Sequence, residues 1–175
     1  LSKLGDDTVA CWARILAALP QSTLLLRSDG LEQASLREYT AQRFAAQGID
    51  PARLRCDAFG SHADTLRRYG AVSVALDPFP FNGCVTTCDA LAMGVPVVAL
   101  HGASLVARQS AALLHAIGCD DWVATDVDGY VERACALASP QANRAARTRL
   151  GDRGRLAIFD AERFADELLA ALRRG

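Results

Sequence analysis

The stretch from Asp77 to Val98, DPFPFNGCVTTCDALAMGVPVV, concentrates residues that could do chemistry. Gly83 would let a backbone approach a ligand closely, and Thr86 and Thr87 stand where a helix begins. Free amides at such a helix start suit a phosphate oxygen. Asp89 lies in the opening of the same helix, where the dipole tolerates a carboxylate and a ribose hydroxyl would come within reach. A purely structural reading uses the same residues: Thr86 caps the helix, and Asp89, three positions on, completes a capping box with Asp in place of Glu. On local chemistry the two readings stay level, because neither a G-x-G-x-x-G run nor a Walker-type lysine loop is present. Cys84 and Cys88 are spaced C-x-x-x-C with no second pair and no histidine cluster, which argues against zinc.

Alternating helical and strand-like segments must hold that stretch. Asp6 to Leu19 carries Val9, Trp12, Ala13 and Leu16 on one helical face, with Asp6 or Asp7 as the expected cap. STLLLR reads as a strand, Gln33 to Gln47 as a helix ended by Gly48, LRCDAF as a strand and His62 to Arg68 as a short helix. VSVALD is the strand that delivers the loop. Val95 to Leu100 is another, and Leu105 to Ile117 a helix closed by Gly118. From there the pattern predicts helices only, near Asp128 to Leu137, Asn143 to Leu150 and Ala161 to Leu172. Strands that are apolar throughout suit a sheet covered on both faces. Alternation with helices predicts an α/β fold, a Rossmann-like parallel sheet with helices on both faces and additional C-terminal helices. The expected division is an α/β core over 1–138 and C-terminal helices over 139–175. Ligands of such sheets bind beyond the carboxyl ends of the strands, where the Gly83 loop falls and where His101 closes the next strand.

A chain of 175 residues is long enough for one domain with a sizeable core. Its net charge of −1 lacks the footprint of a nucleic-acid binder, so no nucleic-acid partner is expected. No apolar run is long enough for a membrane span, and no signal peptide is visible. The six cysteines, Cys11, Cys56, Cys84, Cys88, Cys119 and Cys135, lie mostly in apolar runs and read as free thiols of a cytoplasmic protein.

The segment LDPFPFNGCVTTCDALAMGVPVVAL resembles the donor-binding segment of the O-linked N-acetylglucosamine transferase family, with its plant SPINDLY-like and bacterial members. The likeness continues through LVARQSAALLHAIGCDDWVA and, more loosely, IFDAERFADELL; upstream, KLGDDTVACWARIL matches a segment in which a lysine precedes the helix tryptophan, here Lys3 and Trp12. The resemblance implies the C-terminal, UDP-sugar-holding lobe of a two-lobed (GT-B) inverting glycosyltransferase, which moves N-acetylglucosamine from UDP to Ser or Thr hydroxyls of proteins. It places Lys3 on the UDP diphosphate as the catalytic lysine, Asn82, Gly83, Cys84, Thr86 and Thr87 in the phosphate loop, and Asp89 on the ribose hydroxyls. His101 is a candidate neighbour of the donor, and Arg108 matches a family arginine that suits a helix surface equally well.

This chain departs from the family at three positions. Many members carry His at Cys84, Thr at Val85 and His at Thr65, and cysteine and valine cannot repeat those hydrogen bonds; His62, one turn before Thr65, is a possible substitute. No metal and no other cofactor is expected, since Lys3 and helix amides could neutralise the diphosphate. The acceptor-binding regions and the strand leading into Lys3 would lie before Leu1, so the expectation is one lobe of a larger polypeptide that binds UDP-sugar but transfers nothing alone. Two alternatives stand beside this reading: another GT-B UDP-sugar glycosyltransferase or epimerase lobe, and a non-catalytic nucleotide-sugar-binding or scaffold module.

Overall fold

Residues 2–151 and 156–174 are described by the computed structural model of the chain. Helix α1 (Asp6–Ala18) buries Val9, Trp12, Ala13 and Leu16, the face its spacing predicts. Neither Asp6 nor Asp7 caps it. Gly5 is the N-cap without a side-chain bond, and both carboxylates sit inside the first turn, where they complement the helix dipole. Strand β1 (Leu24–Arg27) leads through α2 (Ala34–Ala45) to β2 (Leu54–Asp57), which runs parallel to it with Leu24 opposite Leu54. Past the end of α2, Gly48 adopts φ +79°, a left-handed conformation that a side chain would resist. Helix α3 (His62–Arg68) is capped by the Ser61 hydroxyl, which accepts from the Asp64 amide.

Strands β3 (Ala75–Leu76), β4 (Val97–Leu100) and β5 (Val123–Ala124) form a second parallel sheet in that order. Helix α4 (Val85–Ala92) connects β3 to β4; α5 (Gln109–Ala116) connects β4 to β5. Helices α6 (Val127–Ala138), α7 (Pro140–Leu150) and α8 (Ala161–Leu172) follow. Consecutive residues of a strand face opposite sides of its sheet, and Val97, Val98 and Ala99 are all buried, so β4 is covered on both faces. Its cover comes from α4, α5 and α6. The result is the expected α/β, Rossmann-like architecture with parallel strands.

Four details differ from the sequence expectation. VSVALD supplies only two ladder residues, extended by the amides of Ala75 and Asp77, which donate to Pro96 and Val98. The helix expected over Leu105 to Ile117 is a short 3-10 turn, Leu105–Ala107, and then α5, because Arg108 (φ −120°, ψ −4°) leaves the helical conformation. Strand β5 falls where helices alone were expected: two residues have no periodicity to read, and they are held by pairing with β4 and packing against α6. Finally, no ladder joins β1 to β3 among the described residues, so the sheet stands as two pieces. Helix α1 bridges them by packing on both α2 and α6.

Of the C-terminal helices, α7 reaches the core through Ala146 and Leu150, whereas α8 buries none of its residues and leaves Phe164, Leu168, Leu169 and Leu172 exposed. No described helix is long and apolar enough to cross a membrane.

Candidate functional site

The loop between β3 and α4 is built around Gly83. Its amide donates to Oδ1 of Asp77 at 2.6 Å, and its carbonyl accepts from the Ser110 hydroxyl at 3.1 Å. A Cβ at this position would lie 2.6 Å from Thr87 Oγ1, 2.7 Å from Thr86 Oγ1 and 2.8 Å from Asp77 Oδ1. Only glycine fits there. Thr87 is buried, and its hydroxyl lies 2.8 Å from Ser110 Oγ, which ties α4 to α5.

The capping box expected of Thr86 and Asp89 does not form. Cys84, not Thr86, is the N-cap of α4; it offers no side-chain bond, and Asp89 lies beyond the first turn. Asp77 closes the loop from behind and Thr87 is turned inward, so among the described residues no side chain caps the first-turn amides. An uncapped helix start beside a glycine is a ready anion site.

Lys3 reaches this loop from the far end of the sequence. Its ammonium donates to the Asn82 carbonyl at 2.8 Å and stands 4.0 Å from the centre of the Phe81 ring. The approach is secured by α1, where the Thr8 hydroxyl donates to the Phe79 carbonyl at 2.7 Å. From α6, the Tyr130 hydroxyl donates to the Asp77 carbonyl at 2.9 Å while accepting from Trp12 Nε1 at 3.3 Å. The Asn82 side chain is fully buried and donates to the Pro78 carbonyl, so this residue shapes the loop from inside.

Asp89 sits one turn into α4 with its side chain 16% exposed, and His62 Nε2 of α3 lies 3.7 Å from its carboxylate. The Tyr69 hydroxyl donates to the Thr86 carbonyl at 3.1 Å; burial and then the Asp89 charge push its pKa up to about 12. Thr65 spends its hydroxyl on the Ser61 carbonyl of its own helix, which leaves His62 as the imidazole beside Asp89. His101 is exposed at the end of β4 and lines a cleft of about 300 Å³ with Phe79, Pro80 and Ser104. Arg108 donates to the carbonyls of Gly102 and Ala103, so it braces the loop after β4. Cys84 and Val85 are both exposed at the mouth of the site.

The sequence reading missed Asp77, Ser110, Tyr69 and Tyr130. Their roles depend on partners far along the chain; the apolar run ending in Asp77 was the one available hint, because a strand tail is an unusual place to bury a carboxylate. Asp77 is 4% exposed. Burial raises its pKa from 3.8 to about 6, against the opposing pull of the Gly83 amide, the Ser110 hydroxyl and the Lys3 ammonium. Between those two values the folded protein holds a proton that the unfolded chain has released. This group's contribution to stability therefore falls as pH rises from about 4 to about 6, by up to about 3 kcal/mol. Denaturant titrations at a series of pH values should show that decline in the wild type and lose it in Asp77→Asn.

A lysine, a glycine-built loop, an uncapped helix start and an acidic residue one turn in converge at the carboxyl edge of the β3–β4–β5 sheet. Residues 1–168, which include all of them, match the family model described as glycosyl transferase family 41. The chain belongs to glycosyl transferase family 41.

Its relatives include the probable UDP-N-acetylglucosamine–peptide N-acetylglucosaminyltransferase SPINDLY of Solanum lycopersicum, 33% identical over 79% of this chain and 15% of the relative. SPINDLY of Oryza sativa subsp. japonica is 30% identical over 99% of the chain and 19% of its own length. The UDP-N-acetylglucosamine–peptide N-acetylglucosaminyltransferase of Caenorhabditis elegans is 30% identical over 96% and 14%. Among solved structures, a mutant O-GlcNAc transferase of Thermobaculum terrenum superposes with a TM-score of 0.93 at 31% identity, covering 99% of this chain and 34% of that one. The chain thus spans less than a fifth of the length of these curated relatives.

Proposed function

We propose that this chain is the UDP-sugar-binding lobe of an inverting glycosyltransferase that moves N-acetylglucosamine from UDP to Ser or Thr hydroxyls of proteins. The observation that carries the reading is the 2.8 Å contact between the Lys3 ammonium and the Asn82 carbonyl, which places a cation beside the uncapped start of α4. Sugar transfer leaves negative charge on the departing diphosphate. A cation and helix amides fixed beside it stabilise that charge most when it is fullest, in the transition state. In this reading Gly83, Cys84, Thr86 and Thr87 supply the backbone of the phosphate cradle, Asp89 takes the ribose hydroxyls and His62 orients Asp89. Asn82 seats Lys3, and His101 stands at the edge where the sugar would lie. Lys3 and the amides supply the countercharge without a metal or another cofactor.

Relatives named as peptide N-acetylglucosaminyltransferases support the sugar and the class of acceptor. The six free cysteines, of which Cys11 has its thiol pushed up to about 11 by burial, support a reducing, cytoplasmic setting. The exposed Cys84 and Val85, together with Thr65, whose hydroxyl is bonded to the Ser61 carbonyl one turn back, favour one second reading: a lobe that holds the nucleotide sugar without transferring it. Calorimetry with UDP and a labelled-sugar transfer assay on the full-length protein test both. Saturable UDP binding with transfer is the expected result; binding without transfer would select the second reading, and absence of binding would remove the donor site.

A further inference from the structure

Asp77 carries more structure than loop closure needs. One carboxylate oxygen takes the Gly83 amide at 2.6 Å; the other is buried and has no hydrogen-bond partner among the described residues. A buried, half-satisfied carboxylate is costly, and an asparagine would take the same amide without the charge. The groups around Asp77 indicate what the charge faces. From the N-terminal segment comes Lys3, the full charge that acts on it; from α6 comes the Tyr130 phenol, bonded to its carbonyl; α4 and α5 contribute the uncharged hydroxyls of Thr87 and Ser110. The carboxylate therefore lies behind the loop, with Gly83 held between it and the uncapped amides of α4.

We propose that Asp77 is a positioning residue for the nucleotide diphosphate: by holding the Gly83 amide from beneath, it aims the first amides of α4 and the Asn82 carbonyl that seats Lys3. The proposal rests on the donor-site reading above. Its chemistry is electrostatic. With Asp77 ionised, the loop is held by a charge-assisted bond, and part of the field of Lys3 is spent on the carboxylate. An arriving diphosphate competes for that field, so binding of the anion and ionisation of Asp77 oppose each other; by linkage each weakens the other equally.

The test is calorimetry of UDP binding to the wild-type chain, Asp77→Ala and Asp77→Asn from pH 5 to 7.5, with folding checked by circular dichroism. Asp77→Ala frees the Gly83 amide and should weaken UDP binding about 10-fold or more, while Asp77→Asn keeps an acceptor there and should restore affinity to within about 3-fold of wild type near pH 5. UDP's own ionisation is common to all three proteins and cancels in ratios. The ratio of Asp77→Asn affinity to wild-type affinity should therefore rise by about 3-fold as the wild-type carboxylate ionises. A folded Asp77→Ala that binds UDP like the wild type would overturn the proposal. So would a folded Asp77→Asn that binds UDP about 10-fold or more weakly than wild type near pH 5, which can be read even if Asp77→Ala does not fold. Wild-type chain that fails to bind UDP would instead bring down the donor-site reading itself, and this role with it.

Discussion

Lys3→Ala is expected to lower sugar transfer by the full-length protein about 100- to 1,000-fold, the typical effect of removing one preorganised group that meets developing negative charge. The effect on folding should be small. Lys3 is exposed, and it is tied by a bond to the Asn82 carbonyl, a contact with the Phe81 ring and a charge interaction with Asp77, so stability should change by only about 0.5–1 kcal/mol. Single-turnover transfer and thermal melts on the same variant separate the two quantities. Lys3→Arg sharpens the comparison: it keeps the charge but replaces a compact ammonium with a planar fork, so partial activity is expected. Wild-type rates from Lys3→Ala would show that the ammonium serves the surface and nothing else.

Asp89→Ala should weaken UDP binding about 10-fold while leaving the affinity for inorganic diphosphate nearly unchanged, because the carboxylate would meet only the ribose. The geometry makes this a cleaner experiment than the sequence suggested. Had Asp89 completed a capping box, its loss would have cost folding stability as well; with Cys84 as the N-cap and Asp89 beyond the first turn, no cap is removed. Among the described residues its one ion-pair partner is the exposed His62, at 3.7 Å, a pairing of the kind that contributes little. Calorimetry with both ligands decides the matter. Equal losses for UDP and diphosphate would move Asp89 from the ribose to the phosphates, and no loss for either would take it out of the site.

Much of the architecture could be read locally. The faces of α1, the span of α3 from His62 to Arg68 and the span of α8 from Ala161 to Leu172 follow from helical periodicity over neighbouring residues. Gly48 and Gly118 mark helix ends because each takes a positive φ that needs no distant partner. Gly83, Thr86, Thr87 and Asp89 likewise share one strand-to-helix turn: their spacing left an anion loop and a helix cap equally open, and the motif around them pointed to the family. Short elements escaped this logic. β5 has two residues and exists because β4 offers it a partner; the break at Arg108 splits a run whose periodicity continues across it.

By itself, then, the sequence determined the α/β alternation, the place of the loop at the strand ends and the family, since each is written in the order and spacing of adjacent residues. Tertiary structure alone decided how the loop is wired. Lys3 meets Asn82 across 79 positions, Thr8 meets Phe79 across 71, Trp12 meets Tyr130 across 118 and Ser110 meets Thr87 across 23. None of these pairs leaves a periodic trace. A buried polar atom takes its partner from whichever element folds against it, so Thr87 could bond Ser110 instead of its own helix, and Asp77 could hold Gly83 while Thr86 capped nothing.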